Sequence, residues 1–137
     1  MKNTQDFILK IRFLTTAIFA ALFIIFLIRF FSLNSVMVKV ETSATFFLSK
    51  NNPILSIERI NIWYNSLNKF LKIKSCFFNS FIKKLIFSTF GHDLMIVCGV
   101  KLNEKSKIEG HAWLCYEGRA VFEDEESLRG YTESFRV

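Results

Sequence analysis

Apolar residues are spread unevenly along the chain. From Phe13 to Ile28 it reads FLTTAIFAALFIIFLI without a charge, with Lys10 and Arg12 before the run and Arg29 after it. Crossing a bilayer takes about 20 apolar residues, so the run is long enough only if Arg12 and Arg29 reach out to headgroups and Phe30 and Phe31 are counted. The pattern fits a transmembrane helix, a helix buried in the protein or against a partner, or a secretory signal segment. No small-residue cleavage site follows promptly, which weighs against the third. Basic residues at both ends give no orientation. Over 33–55, Ser, Thr and Asn rise and Asn51-Asn52-Pro53 is a turn signal, so this stretch is expected to be a connector holding a short apolar segment.

Beyond Pro53 the pattern changes. Ile57, Ile60, Trp63, Tyr64 and Leu67 recur at three- and four-residue steps, with Glu58, Arg59, Asn65 and Lys69 between them, which predicts a helix from Pro53 to near Lys72. Ser75 is read as the N-cap of the next helix. Its stripe is Phe78, Phe81, Ile82, Leu85 and Ile86, Lys83 and Lys84 are expected to face out, and Gly91 stands at the C-cap position. HDLMIVCGV reads as a buried strand, LNEKSKIEG as a charged loop, and HAWLCY with RAVFE as two strands about a Glu117-Gly118 turn. The tail DEESLRGYTESFRV is acidic and then mixed. The expected architecture is α+β, with helices packed on one side of a small antiparallel sheet. Residues 1–52 form an apolar helix and connector, and 53–137 the domain proper.

Composition adds a few limits. The chain has 137 residues, 51% of them hydrophobic and 17 of them phenylalanine, with a formal net charge of +6. That charge favours acidic membrane surfaces or acidic peptides. Nucleic acid is not an expected partner, because no clean Lys/Arg run exists. The cysteines are Cys76, Cys98 and Cys115, an odd set without a CxxC pair, and His92 and His111 are not spaced like zinc ligands. Neither a disulfide framework, a structural metal nor a cofactor is expected, and a reducing, cytoplasmic setting fits best, in the cytoplasm or at the cytoplasmic face of the membrane.

Cys76 falls in the first turn of a helix, where the positive end of the helix dipole favours thiolate and free N–H groups can receive an oxyanion. The base must come from another element, and His111 opens a strand. Across the hairpin, a two-residue Glu117-Gly118 turn sets His111 opposite Asp124. A three-residue loop with a bulge sets it opposite Glu123. Either register offers an acid to orient the ring, and only one of the two acids can serve. The plainer readings are core packing for Cys98, an incidental role for Cys115, a helix-end partner for His92, a core or site-wall position for Trp113, and a solvated acidic run over Glu123–Glu126.

The string of Cys76 at a helix start, Phe87-Ser88-Thr89-Phe90-Gly91, Leu94 to Val100, His111-Ala112-Trp113 and Glu117-Gly118 resembles the B proteins of lasso peptide biosynthesis, in the transglutaminase-like cysteine peptidase superfamily. The likeness runs from about Ile60 to the C-terminus, and the apolar front end is similar to that of the split, leader-peptidase form. The resemblance implies a papain/transglutaminase-like core that removes the leader from a ribosomally made precursor. Cys76 would be the nucleophile, His111 the base, and Glu123 (by spacing) or Asp124 (by residue type) the third member. It also implies partners: the precursor leader, a small leader-recognition protein and a ring-forming cyclase. The sequence departs from the family at Phe77, where Leu is usual, and at Cys115, where an acid is common.

Overall fold

The computed structural model describes residues 2–48 and 53–137. Its elements are α1 (Lys2–Phe30), α2 (Leu33–Leu48), α3 (Ile57–Leu71), α4 (Cys76–Thr89), β1 (Met95–Leu102), β2 (Ile108–Tyr116), β3 (Arg119–Val121) and β4 (Thr132–Arg136). The arrangement is α+β, as the sequence pattern predicts.

Helix α4 begins where Ser75 sits in extended backbone and its hydroxyl accepts the Phe78 N–H at 3.4 Å. Such caps contribute about 1 kcal/mol. The helix stops at Gly91, whose φ of 83° lets the His92 N–H turn back to the Phe87 carbonyl at 2.9 Å. Between these ends α4 is the axis of the molecule, with α1 and α2 against one side and β1 and β2 against another. Phe81, Ile82, Leu85, Ile86 and Phe87 are all buried.

Burial on two sides corrects the expectation that Lys84 faces solvent. It is 2% exposed, and its Nζ donates to the carbonyls of Leu94 at 3.0 Å and Val137 at 3.2 Å and pairs with Glu41 on α2 at 2.5 Å. A buried cation is tolerated only when its protons are satisfied in this way. Lys83 is half-buried and turns toward α3 instead.

The stretch expected as a connector contains a full helix, α2. Val36, Val40 and Ala44 bury one face, and the Thr42 hydroxyl is absorbed by the Val38 carbonyl at 2.8 Å. Phe13, Ala17, Ile24 and Leu27 of α1 and Val36 and Val40 of α2 belong to the same core as Ile60, Phe81, Ile86, Leu94 and Ile96. The expected boundary at 52/53, with Asn51 and Asn52 of the turn signal, touches residues 49–52, which lie outside the described residues. Helix α3 starts at Ile57 behind its Ser56 cap, four residues after Pro53, and ends against a left-handed Lys72.

The sheet is antiparallel in the order β3-β2-β1-β4. Strand β1 begins at Met95, three residues later than expected. His92 lies before it, buried, with Nε2 donating to the Leu55 carbonyl at 2.5 Å. The tail supplies β4, an element the sequence pattern does not show. Ile96, Cys98, Ala112 and Leu114 face the core. Met95, Val97, Gly99, His111, Trp113 and Cys115 alternate with them and so share the outer face. The segment joining β3 to β4 runs from one sheet edge to the other, and its Tyr131 packs on His111 and Trp113.

Candidate active site

Cys76 is the first residue of α4 and half-buried. Ser75 takes up the Phe78 N–H with its hydroxyl and the Asn79 N–H with its carbonyl. The Cys76 and Phe77 amides are left at the helix end without an intrahelical acceptor. These are the groups that receive anions at helix starts.

His111 stands on β2 and is partnered by Glu123: Nε2 lies 2.7 Å from Oε2. A carboxylate only accepts, so Nε2 carries the proton and Nδ1 is the ring nitrogen left to act on a thiol. The backbone explains why Glu123 rather than Asp124 is here. Tyr116 pairs with Arg119, so Glu117 and Gly118 form the two-residue turn, both with positive φ (49° and 79°), as a type I′ hairpin requires. That register alone would carry Asp124 to His111. After Val121, however, Phe122 adopts φ 70°, the strand ends, and the chain reaches the histidine one residue early. Asp124 turns away, and its Oδ1 accepts the Ser127 N–H at 2.6 Å.

Strand β3 covers β2 only from Leu114 to Tyr116, so the edge of β2 is uncovered by strand at His111 and Ala112. Along that edge runs a cleft of about 280 Å³ whose lining includes Cys76, Ser80, Lys83, His111, Trp113 and Glu123. Cys76 and His111 therefore border one space, Cys76 from α4 and His111 from the strand edge. Among the described residues no hydrogen bond joins Cys76 to His111. The register sets the His111 Cβ on the outer face of the sheet, where its ring packs against Trp113 and Tyr131.

Three further cleft residues have no site role in the sequence pattern, which sets Lys83 facing out. Asn79, Ser80 and Lys83 follow Cys76 at three, four and seven residues, one helical face, and that spacing was the available signal. The Ser80 hydroxyl donates to the Ala112 carbonyl at 3.2 Å and fastens α4 to the bare strand edge. Asn79 accepts from the Tyr64 hydroxyl at 2.6 Å and donates to the Ile73 carbonyl at 3.0 Å. Burial pushes the Tyr64 phenol up, so it stays a donor. Burial lowers the Lys83 amine, and the Glu123 carboxylate opposes that shift.

The other two thiols differ in surroundings. Burial, with a smaller push from Cys76, raises Cys98 to about 11, so it stays protonated at neutral pH. Burial also raises Cys115, which lies nearer the hairpin turn, in a separate cleft with Tyr116 and Arg136.

Gly99 supports the histidine from the neighbouring strand. It is the Cα partner of His111, and a Cβ there would stand 2.8 Å from Trp113 Cη2 and 3.0 Å from the Thr132 carbonyl oxygen. The indole in turn stacks on the His111 ring, centroids 6.0 Å apart. Gly99→Ala is expected to destabilise the fold by about 1–3 kcal/mol through overpacking, read by urea unfolding.

A thiol at a helix start, with a strand histidine and a carboxylate beside it in an α+β unit, defines the papain-like class of thiol folds. A family model described as the transglutaminase-like superfamily matches residues 20–136, and the chain belongs to that superfamily, which includes cysteine peptidases. No curated protein matches the chain, and no solved structure does.

Proposed function

We propose that this protein is a cysteine peptidase that removes the leader from a ribosomally made, lasso-type precursor peptide. One observation carries the reading: Cys76 at the start of α4 and the hydrogen-bonded His111–Glu123 pair line one cleft. Superfamily membership and the resemblance of the His111-Ala112-Trp113 hairpin to lasso B proteins support it. The precursor leader, a small leader-recognition protein and a cyclase are its proposed partners.

In the proposed reaction, Nδ1 of His111 takes the Cys76 proton while Glu123 holds Nε2–H. The thiolate forms a C–S bond to the carbonyl carbon at the leader–core junction, and the Cys76 N–H receives the oxyanion. The intermediate collapses, the C–N bond breaks, and the leaving amine takes the proton from His111. Water, deprotonated by His111, then hydrolyses the thioester and frees the leader carboxylate.

A second reading, the same fold acting as a non-catalytic scaffold of a maturation complex, is favoured by the missing Cys76–His111 hydrogen bond. Incubation with a candidate precursor and recognition protein, followed by mass spectrometry, separates the two. Peptidase action predicts a leader and a core fragment, and prior alkylation at neutral pH that maps to Cys76 and spares Cys98 should block their release. An intact precursor with leader still bound to the protein supports the scaffold.

A further inference from the structure

Helix α1 has two apolar sides and only one of them is used. Phe13, Ala17, Ala20, Ile24 and Leu27 enter the core. The opposite side presents Ile11, Leu14, Ile18, Leu22 and Ile25, and Phe19 on its flank is 72% exposed. Only 28% of the most apolar stretch is buried. An exposed apolar surface of this extent marks an interaction site, and a helix apolar all round is one covered on every side. Thr15, the polar interruption on this face, gives its hydroxyl to the Ile11 and Arg12 carbonyls at 3.0 Å, so it asks nothing of water.

The charges select the covering. Helices α1 and α2 carry Lys2, Lys10, Arg12, Arg29 and Lys39 against two acids, Asp6 and Glu41. Both acids are committed to cations of the protein, Asp6 to Lys10 and Arg59 and Glu41 to Lys84. At the α1–α2 elbow Arg29 is exposed, Lys39 lies 4.5 Å over the Phe31 ring, and Phe26 packs on Phe30 and Phe31. Cations beside aromatic rings are the usual furniture of a headgroup layer. A second copy would set cation against cation. Beside the same face, an apolar cleft of about 480 Å³ lined by Phe19, Phe23, Phe47 and Leu85 has room for a lipid chain.

We infer that α1 does not cross the bilayer but lies in the surface of an anionic membrane, its inner stripe on α4 and its outer face in the acyl boundary. Standing α1 upright would strip Phe13, Ala17, Ala20, Ile24 and Leu27 from the core. In-plane helices bury their apolar face by about 5–10 Å, which keeps α4 and the sheet on the aqueous side. None of the outer-face residues lines the Cys76 cleft, so this inference and the peptidase reading stand or fall separately.

The test is flotation of the full chain, carrying an N-terminal epitope tag, with sealed vesicles of phosphatidylcholine alone or mixed with phosphatidylglycerol. The expected result is flotation with the anionic vesicles, a tag that added protease still removes, and a loss of about tenfold or more in binding for the Ile18→Glu, Leu22→Glu double variant at unchanged circular dichroism. The inference is overturned by a chain that stays in solution, by flotation the variant shares equally, by a protected tag (a spanning helix), or by a lipid-free dimer that the variant dissociates (a second copy). If the double variant misfolds, Phe19→Ser is read in its place by the same criteria.

Discussion

Replacing Cys76 with alanine is expected to lower precursor cleavage by at least about 10⁴-fold, because no other thiol lines the cleft and the Ser80 hydroxyl is tied to the Ala112 carbonyl. Cys98 does not substitute: it is buried, and its thiol is held protonated. Cys115 lies nearer the hairpin turn and lines a different cleft. Cys98→Ala and Cys115→Ala should therefore keep cleavage within a few-fold of wild type. His111→Ala should cost about as much as Cys76→Ala, and the double variant no more than either, since a nucleophile and its base act as one unit. Initial rates of core release, followed by mass spectrometry, read the whole series. Cleavage that survives in Cys76→Ala removes the assigned nucleophile, and with it the proposed activity.

The next largest effect is expected at the carboxylate. Glu123→Gln keeps an acceptor near Nε2 but loses the negative charge that stabilises the imidazolium, and the amide can also present its N–H₂ and favour the wrong tautomer. A loss of about 10²–10⁴ in the rate of core release should follow. Asp124→Asn should change that rate by no more than a few-fold, because an asparagine oxygen still accepts the Ser127 N–H that Asp124 now holds. The pair of variants discriminates sharply. A large loss at Asp124 with little at Glu123 would mean that the acids exchange places when substrate binds, and equal small effects would mean that neither orients the ring.

Parts of this molecule can be read from its sequence because their signals are local. Ser75 and Gly91 mark the ends of α4, and Glu117-Gly118 marks the hairpin; both follow from backbone hydrogen bonding over a few residues. Helix α2 is concealed because its buried Val36, Val40 and Ala44 are interleaved with Ser, Thr and Asn, which read as loop unless the hydroxyls are seen bonding back into the helix. Strand β4 is concealed because Thr132–Arg136 is mostly exposed, and its place is fixed by pairing with β1 rather than by its own alternation. Lys84 shows the limit of a single-stripe reading. The sequence pattern suggests one buried face for α4, whereas the fold buries two, and a lysine between them becomes an internal strap. The candidate site shows the same division: the helix position of Cys76 and an acid across from His111 are local inferences, while the choice of acid and the exit of the His111 Cβ on the outer face depend on torsion and strand register.

The left-handed Phe122 has a wider consequence. Its ring stacks on Phe87 at 5.4 Å, so core packing fixes the dihedral that delivers Glu123 to the imidazole. A single bend, anchored on Phe87 and itself lining the cleft, thus decides which of two adjacent anions meets the base. Drift can trade the identities of positions 123 and 124 and still leave a negative group beside the ring, but gaining or losing one residue between Val121 and Glu123 would misdirect both.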